Sequence, residues 1–399
     1  VCLYVTALNP TDAVTHGLLP AAARLGLPVV LLTDQPEAHA YPGVMVEHAE
    51  VRDAGAVVAR VLELSGRHGA PAALLSNSDH LQTATSLAAE LLSLPGKDFR
   101  ATLRTKNKFL TRARLAEAGL DTVTSVTIGP RDDPRAAAEA LPFPAVVKPR
   151  EGVASEDARL VGDLDELVST VDDIRTRRSD PLVAEEYLAG ELRTYDTIGD
   201  GVRRHVFGSW RTTVGDPPAF TEIRLDWAPE IPVPVRAHLD AQLTALGVGF
   251  GACHTEFVID GDRARIIEVN YRLIGDTMDL ICCELLGVDL FAELIDVYLG
   301  KPLSVKLPDP VAVGRHARMD NVLATTAGTL TESPPAGVRE TDGGARIGHR
   351  RLREVGVTAP VHGTNRDYLS AVYAIGPDRP VVDGLVENFI ARNIWRISE

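Results

Sequence analysis

The chain has 399 residues, 45% of them hydrophobic and 24% charged, with a formal net charge of −14 at neutral pH. That length can bury large cores in roughly two to four domains or subdomains. The acidic balance repels polyphosphate backbones, no long Lys/Arg block occurs and no apolar run is long enough to span a bilayer, so neither nucleic acid nor membrane is an expected partner.

Residues 1–100 alternate apolar runs ("VCLYVTA", "PVVLLTD", "AALLSN") with amphipathic segments around 18–25, 54–64 and "LQTATSLAAELL". This pattern predicts a parallel sheet covered on both faces, an α/β arrangement. "TKNKFLTRARLAEAGL" then reads as a helix whose apolar positions are Phe109, Ala113, Ala116 and Leu120, with Gly119 near its stop. "FPAVVKP" is a strand entering the loop "REGVASED", and "LVAEEYL" is another, followed by an antiparallel-looking stretch to about residue 225. Beyond a hairpin come helices over 276–286 and 289–299, the second capped by Asp289, and then short strands with a terminal helix. Cys2, Cys253, Cys282 and Cys283 show no metal or CxxC spacing, which fits core thiols in a reducing compartment and a cytoplasmic location.

The hairpin is "HTEFVIDGDRARIIEVNYR", residues 254–272. With a three-residue loop over 261–263, Glu256 faces Glu268, His254 faces Asn270, and Val258 and Ile266 share their face. Opposed carboxylates among apolar neighbours destabilise a sheet unless a cation compensates. Two carboxylates and an amide oxygen are hard ligands that suit Mg²⁺. A register slip of one residue would instead point both charges to solvent. The chain has only six lysines among 41 basic residues. Lys108 lies near a helix start, where a cation is favourable only beside an anion such as phosphate. Lys148 ends a strand before Pro149 and a loop whose Gly152, Ala154 and Ser155 let backbone amides approach a phosphate. Each has a bland alternative, a solvated lysine beside an ordinary loop. "GVGFGA" precedes a strand instead of joining strand to helix, so it is no dinucleotide loop.

Taken in order, Lys108 before "AGL", Lys148 before proline and a small-residue loop, "EEYLAGE", and Glu256, Glu268 and Asn270 ending in "NYR" resemble the ATP-grasp superfamily over about residues 1–300. The ending "GTNRDYLSAVYAIG" resembles the C-terminal lobe of its carboxylate-amine (L-amino acid) ligases. The resemblance implies a Rossmann-like pre-ATP-grasp domain at 1–100, ATP-grasp subdomains at 101–182 and 183–305, and a C-terminal lobe at 306–399. It implies ATP and Mg²⁺ as cofactors, with Mn²⁺ as a substitute. Lys108, Lys148, Gly152 and Ser155 would meet the phosphates, Glu185, Glu186 and Leu188 the adenine hinge, and Glu191 the ribose. Glu256, Glu268 and Asn270 would ligate the metal, and Arg272 would clamp the transferred phosphate, with Arg272 and Lys148 acting in catalysis.

The activity implied is amide-bond formation between a small carboxylic acid and an amine through an acyl phosphate, and a homodimer is suggested. An inactive ATP-binding module and a carboxylase working through carboxyphosphate are the alternatives. This chain departs from the family in carrying Tyr271, where proline is common, and Glu156 and Asp157, where a basic or small residue and glycine are usual. "SNSD" (76–79) and "RLIGD" (272–276) lie where such ligases meet their substrates.

Overall fold

The computed structural model describes residues 1–275, 277–341 and 343–398. Asp276, the predicted start of a helix, lies outside the described residues.

The chain begins with β1 (Cys2–Thr6), a π-helical turn over Ala13–Leu18 that continues as α1 (Leu19–Arg24), β2 (Val29–Thr33), β3 (Met45–His48), α2 (Ala54–His68), β4 (Pro71–Ser76) and α3 (Gln82–Leu91). The four strands are parallel in the order β3-β2-β1-β4. Both faces are covered, which is why β1 and β2 are continuous apolar runs. Leu3, Val5 and Leu31 pack towards Leu18 and Phe291, while Tyr4, Val30 and Leu32 pack towards Val57, Val61 and Leu64. The strand order turns back between β1 and β4, so the loops after them open one crevice.

Next come α4 (Phe99–Lys106), α5 (Lys108–Glu117), β5 (Ser125–Ile128), α6 (Pro134–Ala137), β6 (Ala145–Pro149), β7 (Arg159–Val161), α7 (Leu164–Arg175) and β8 (Leu182–Glu186). The predicted single helix is broken at Asn107, whose extended backbone and side chain, accepting from the Leu110 N–H at 3.2 Å, cap a new helix at Lys108. The predicted apolar stripe is also overturned. Phe109 and Ala116 are exposed, and the buried face consists of Lys108, Thr111, Arg112 and Leu115. Charge pairing across the molecule buries this face more effectively than the scattered alanines could. The strands form an antiparallel sheet, β5-β8-β6-β7, packed on α7 through Val147, Leu167, Val171 and Ile174.

The remainder holds β9 (Leu192–Asp200), β10 (Arg204–Gly208), β11 (Trp210–Val214), β12 (Glu222–Trp227), α8 (Val233–Leu246), β13 (Phe250–Asp260), β14 (Arg263–Asn270), α9 (Met278–Leu286) and α10 (Leu290–Tyr298). It closes with β15 (His316–Leu323), β16 (Gly328–Glu332), β17 (Gly337–Glu340), β18 (Arg346–Arg351), β19 (Thr358–Ala359), β20 (Tyr368–Gly376), α11 (Arg379–Arg392) and β21 (Arg396–Ser398). A ten-stranded antiparallel sheet runs β14-β13-β9-β11-β12-β15-β20-β18-β17, with β10 added on β9, and so joins the hairpin to the C-terminal lobe. Asp289 caps α10 as predicted, accepting from the Ala292 N–H at 3.1 Å. All four cysteines are free thiols, three of them buried. Among the described residues no helix is long and apolar enough to cross a membrane.

Candidate active site

The hairpin β13–β14 does oppose Glu256 to Glu268 and His254 to Asn270. It does so by a route the sequence reading missed. The connection is a two-residue turn at Gly261 and Asp262, with Gly261 at φ +57°, and it pairs Asp260 with Arg263. A bulge at Ile267 then adds the residue that brings the two glutamates opposite each other. Ile266 is therefore not on the carboxylate face. It pairs with Phe257 and is buried with Val235 and Leu239 of α8, while Ile267 faces the site.

A cleft of about 460 Å³ lies over this hairpin, between the β5–β8 sheet and the ten-stranded sheet. Its wall carries Lys108, Lys148, Gly152, Ser155, Glu185, Glu186, Leu188, Glu256, Glu268, Asn270 and Arg272, all but one of the residues picked out in the sequence. The exception is Glu191. Leu192 and Thr194 face the cleft, so strand alternation turns Glu191 and Arg193 the other way, and Glu191 pairs with Arg211 at 2.6 Å. The sheet floor continues past the glutamates through Thr212, Leu225 and Met319, which are cross-strand neighbours.

The electrostatics are organised around two carboxylates, the half-buried Glu268 and the buried Glu185. Lys108 Nζ donates to Glu268 Oε1 at 2.7 Å. Burial opposes the charge on Glu268, but Lys108 and the nearby Lys106 and Lys148 hold its carboxyl below the usual range. Glu185, expected at the nucleotide hinge, instead has its side chain almost wholly buried between two cations. It accepts from Arg112 Nε and Nη2 at 2.8 and 3.0 Å and pairs with Lys148 Nζ at 2.8 Å. The pair holds Lys148, whose ammonium burial pushes down and Glu185 supports. Glu186 likewise spends its side chain on Arg265 at 2.9 Å, although it borders the cleft.

On the hairpin, His254 Nδ1 bonds Asp196 Oδ1 at 2.7 Å and its Nε2 lies 3.7 Å from Glu256. Burial works against a charge on His254, but Asp196 and Glu256 raise it to about 10. His254 thus sits between two carboxylates that both favour its charged form, bonded to Asp196 and facing Glu256. Among the described residues no three His, Cys, Asp or Glu side chains cluster as a metal cage. Two opposed carboxylates and the buried amide of Asn270 instead fit a hard cation that completes its shell with water and phosphate. Arg272 donates from Nε and Nη2 to Asp79 Oδ2 at 2.8 and 2.6 Å and from Nη1 to the carbonyls of Leu273 and Ile274, and Asn77 Oδ1 accepts from Leu273 N–H. The loops "SNSD" and "RLIGD" therefore meet, leaving aside Asp276, at Arg272.

The acidic loop does not face the cleft as a whole. Asp157 is held by Arg177 and Arg178 at 3.0 and 3.1 Å, while Glu156 borders the cleft and pairs with Arg366 of the C-terminal lobe at 3.3 Å. Arg112, Asp196, the pairing of Asp79 with Arg272 and the contact of Glu185 with Arg112 were missed because each depends on a partner far along the chain, at separations of 73, 58 and 193 residues.

A parallel α/β N-terminal sheet, a small antiparallel sheet closing over a larger one, and a cleft between them that gathers lysines and paired carboxylates define the ATP-grasp fold. Solved structures place the chain within that fold. It is similar to the L-amino acid ligase of Bacillus licheniformis, with a TM-score of 0.79 at 21% identity over 100% of this chain and 98% of that one. It is also similar to phosphoribosylglycinamide synthetase of Anaerococcus prevotii (TM-score 0.69, 12% identity, 99% of both chains). Biotin carboxylase of Campylobacter jejuni, solved as a β,γ-ATP complex, matches at a TM-score of 0.68, 14% identity and 99% and 92% coverage. Among curated sequences the uncharacterized protein y4rH of Sinorhizobium fredii is 25% identical over 393 residues, 95% of this chain and 80% of that protein. No protein-family profile matches the chain.

Proposed function

We propose that this chain is an ATP-dependent carboxylate-amine ligase that forms an amide bond between a small carboxylic acid, such as an amino acid, and an amine. The observation that carries the reading is the convergence of Lys108, Lys148, Arg272 and the opposed Glu256 and Glu268 with Asn270 on one cleft. The end-to-end likeness to a Bacillus licheniformis L-amino acid ligase supports it.

Glu256, Glu268 and Asn270 would hold Mg²⁺, or Mn²⁺ in its place, and the ion supplies charge neutralisation at the phosphates. Lys148, fixed by Glu185, and Lys108, now on Glu268, neutralise phosphate oxygens from the opposite wall. Gly152 and Ser155, which line the cleft, would meet the phosphates, and Glu186 and Leu188, which also line it, would meet the adenine. The substrate carboxylate oxygen attacks the γ-phosphorus as the bond to ADP breaks, giving an acyl phosphate. The amine nitrogen then bonds the acyl carbon, loses a proton, and phosphate leaves. Arg272 holds the migrating phosphoryl group by its guanidinium, a positioning and charge role in keeping with phosphoryl transfer. The chain's chemistry calls for no nucleic acid or membrane partner, and a homodimer remains the expected assembly.

The test is ADP release from Mg²⁺ and ATP across pools of amino acids and small carboxylic acids, with hydroxylamine present. Pool-dependent ADP with a hydroxamate supports the ligase. ADP release that depends on bicarbonate alone would instead mark a carboxylase, and nucleotide binding without turnover an inactive module.

A further inference from the structure

Lys97 stands outside the cleft, 4% exposed, before the start of α4. Its ammonium donates to Gln82 Oε1 at 2.7 Å and to the backbone carbonyl of Tyr271 at 2.5 Å, and it lies 4.5 Å above the Tyr271 ring. Its polar contacts are thus neutral oxygens and a π face. Burial pushes the ammonium down to about 7, with Cys253 and Asp79 pulling it up and Arg272 opposing them. A cation placed there gains little for folding, which makes its second property informative.

That property is where it points. Tyr271 lies between Asn270 and Arg272, and the Arg272 N–H donates back to the Asn270 carbonyl at 2.7 Å, so the chain turns sharply at this residue. Since the peptide unit is planar, fixing the Tyr271 carbonyl fixes the plane from which Arg272 departs. The Tyr271 hydroxyl accepts from the N–H groups of Gly249 and Phe250 at 3.0 and 3.1 Å, which anchors the other end of the residue. Gln82 extends the link, since its amide donates to the carbonyls of Ser76 and Ser78 at 3.0 Å each, in the loop whose Asp79 holds Arg272. The fit at Lys97 is close, for a Cβ on Gly251 would come within 2.8 Å of its Cε.

We propose that Lys97 is a positioning residue that sets Asn270 and Arg272 by clamping the Tyr271 carbonyl between them and tying it, through Gln82, to the loop that carries Asp79. The inference rests on the metal and phosphoryl roles given above. It also gives a reason for tyrosine at a place where the resembling ligases commonly have proline, because side chain and carbonyl are both held by polar contacts.

The test compares the full-length protein with Lys97→Met, Lys97→Arg and Gln82→Leu. Mn²⁺ affinity would be read by electron paramagnetic resonance with a non-hydrolysable ATP analogue, nucleotide affinity without metal by calorimetry, and kcat and KM from ADP release. In K97M, Mn²⁺ affinity should weaken about 10-fold or more, as loss of support behind a metal ligand does, with kcat falling alongside and KM for ATP little changed. Metal-free nucleotide affinity should stay within about 3-fold, less than 1 kcal/mol. K97R, which keeps a donor for the carbonyl, should recover most of the Mn²⁺ affinity, and Q82L should show a smaller loss of the same kind. Unchanged Mn²⁺ affinity in K97M overturns the proposal, as does an equal fall in metal affinity, metal-free nucleotide affinity and thermal stability. Should K97M fail to fold, unchanged Mn²⁺ affinity in Q82L overturns it. A wild-type protein that binds metal and nucleotide but never releases ADP refutes the ligase reading while leaving the Mn²⁺ comparison decisive for Lys97.

Discussion

Replacing Glu185 by Gln tests the charge arrangement that supports Lys148. The carboxylate is 2% exposed and receives three charged donors, two from Arg112 and one from Lys148, while Arg112 Nη1 also donates to the Ile266 carbonyl at 2.6 Å. The amide keeps the shape but leaves two buried cations with no counter-charge between them, and breaking such a buried set costs about 3–5 kcal/mol. Burial opposes the Glu185 charge, but Arg112 and Lys148 hold its carboxyl far below the usual range. Because the folded value is depressed, this stabilisation is present above the unfolded carboxyl value, about 4.3, and is lost as pH falls towards the folded one.

Urea unfolding at neutral pH should therefore show the full deficit of the variant, and the gap should narrow in acid. Lys148, already pushed down by burial, would fall further without Glu185, so nucleotide affinity in the variant should drop at a lower pH than in wild type as pH rises. An unfolding midpoint equal to wild type, or a nucleotide affinity equal to wild type at every pH, would refute this account of Lys148.

Glu268→Gln should lower Mg²⁺-dependent ADP release at least about 100-fold, measured in a coupled assay, since it removes both a proposed metal ligand and the anchor of Lys108. Asp279 is fully buried, and burial raises its carboxyl to about 7. Its folded value is raised, so the protonated form stabilises the fold at low pH and that contribution is lost as pH rises from about 3.9 through about 7. D279N, neutral throughout, should gain thermal stability relative to wild type between about pH 5 and 8, and a constant difference would contradict the assignment. Arg366→Ala removes an exposed ion pair, so stability should change by less than about 1 kcal/mol, while KM for ATP rises by up to about 5-fold as the proposed phosphate loop loses its tie to the C-terminal lobe.

The N-terminal sheet was legible because burial on both faces makes β1 and β2 continuous apolar runs, a signal that needs no distant partner. The opposition of Glu256 and Glu268 was legible too, though through a loop one residue too long, because a bulge at Ile267 restores the count that a shorter turn removes. That same bulge is why Ile266 was placed on the wrong face. Helix periodicity failed at α5 because its buried face includes Lys108 and Arg112, whose burial is explained by carboxylates 160 and 73 residues away. Lys97 carried no local signal at all, since its partners Gln82 and Tyr271 belong to different lobes.

In the proposed reaction a substrate carboxylate attacks the γ-phosphorus of ATP in this cleft. The most direct measurement uses the acid found in the pool assay, labelled with ¹⁸O in its carboxylate, and mass analysis of the phosphate released. Acyl-phosphate chemistry leaves one ¹⁸O in phosphate for each amide formed, with ADP as the nucleotide product. Amide formation with unlabelled phosphate, or with AMP carrying the label, would contradict it.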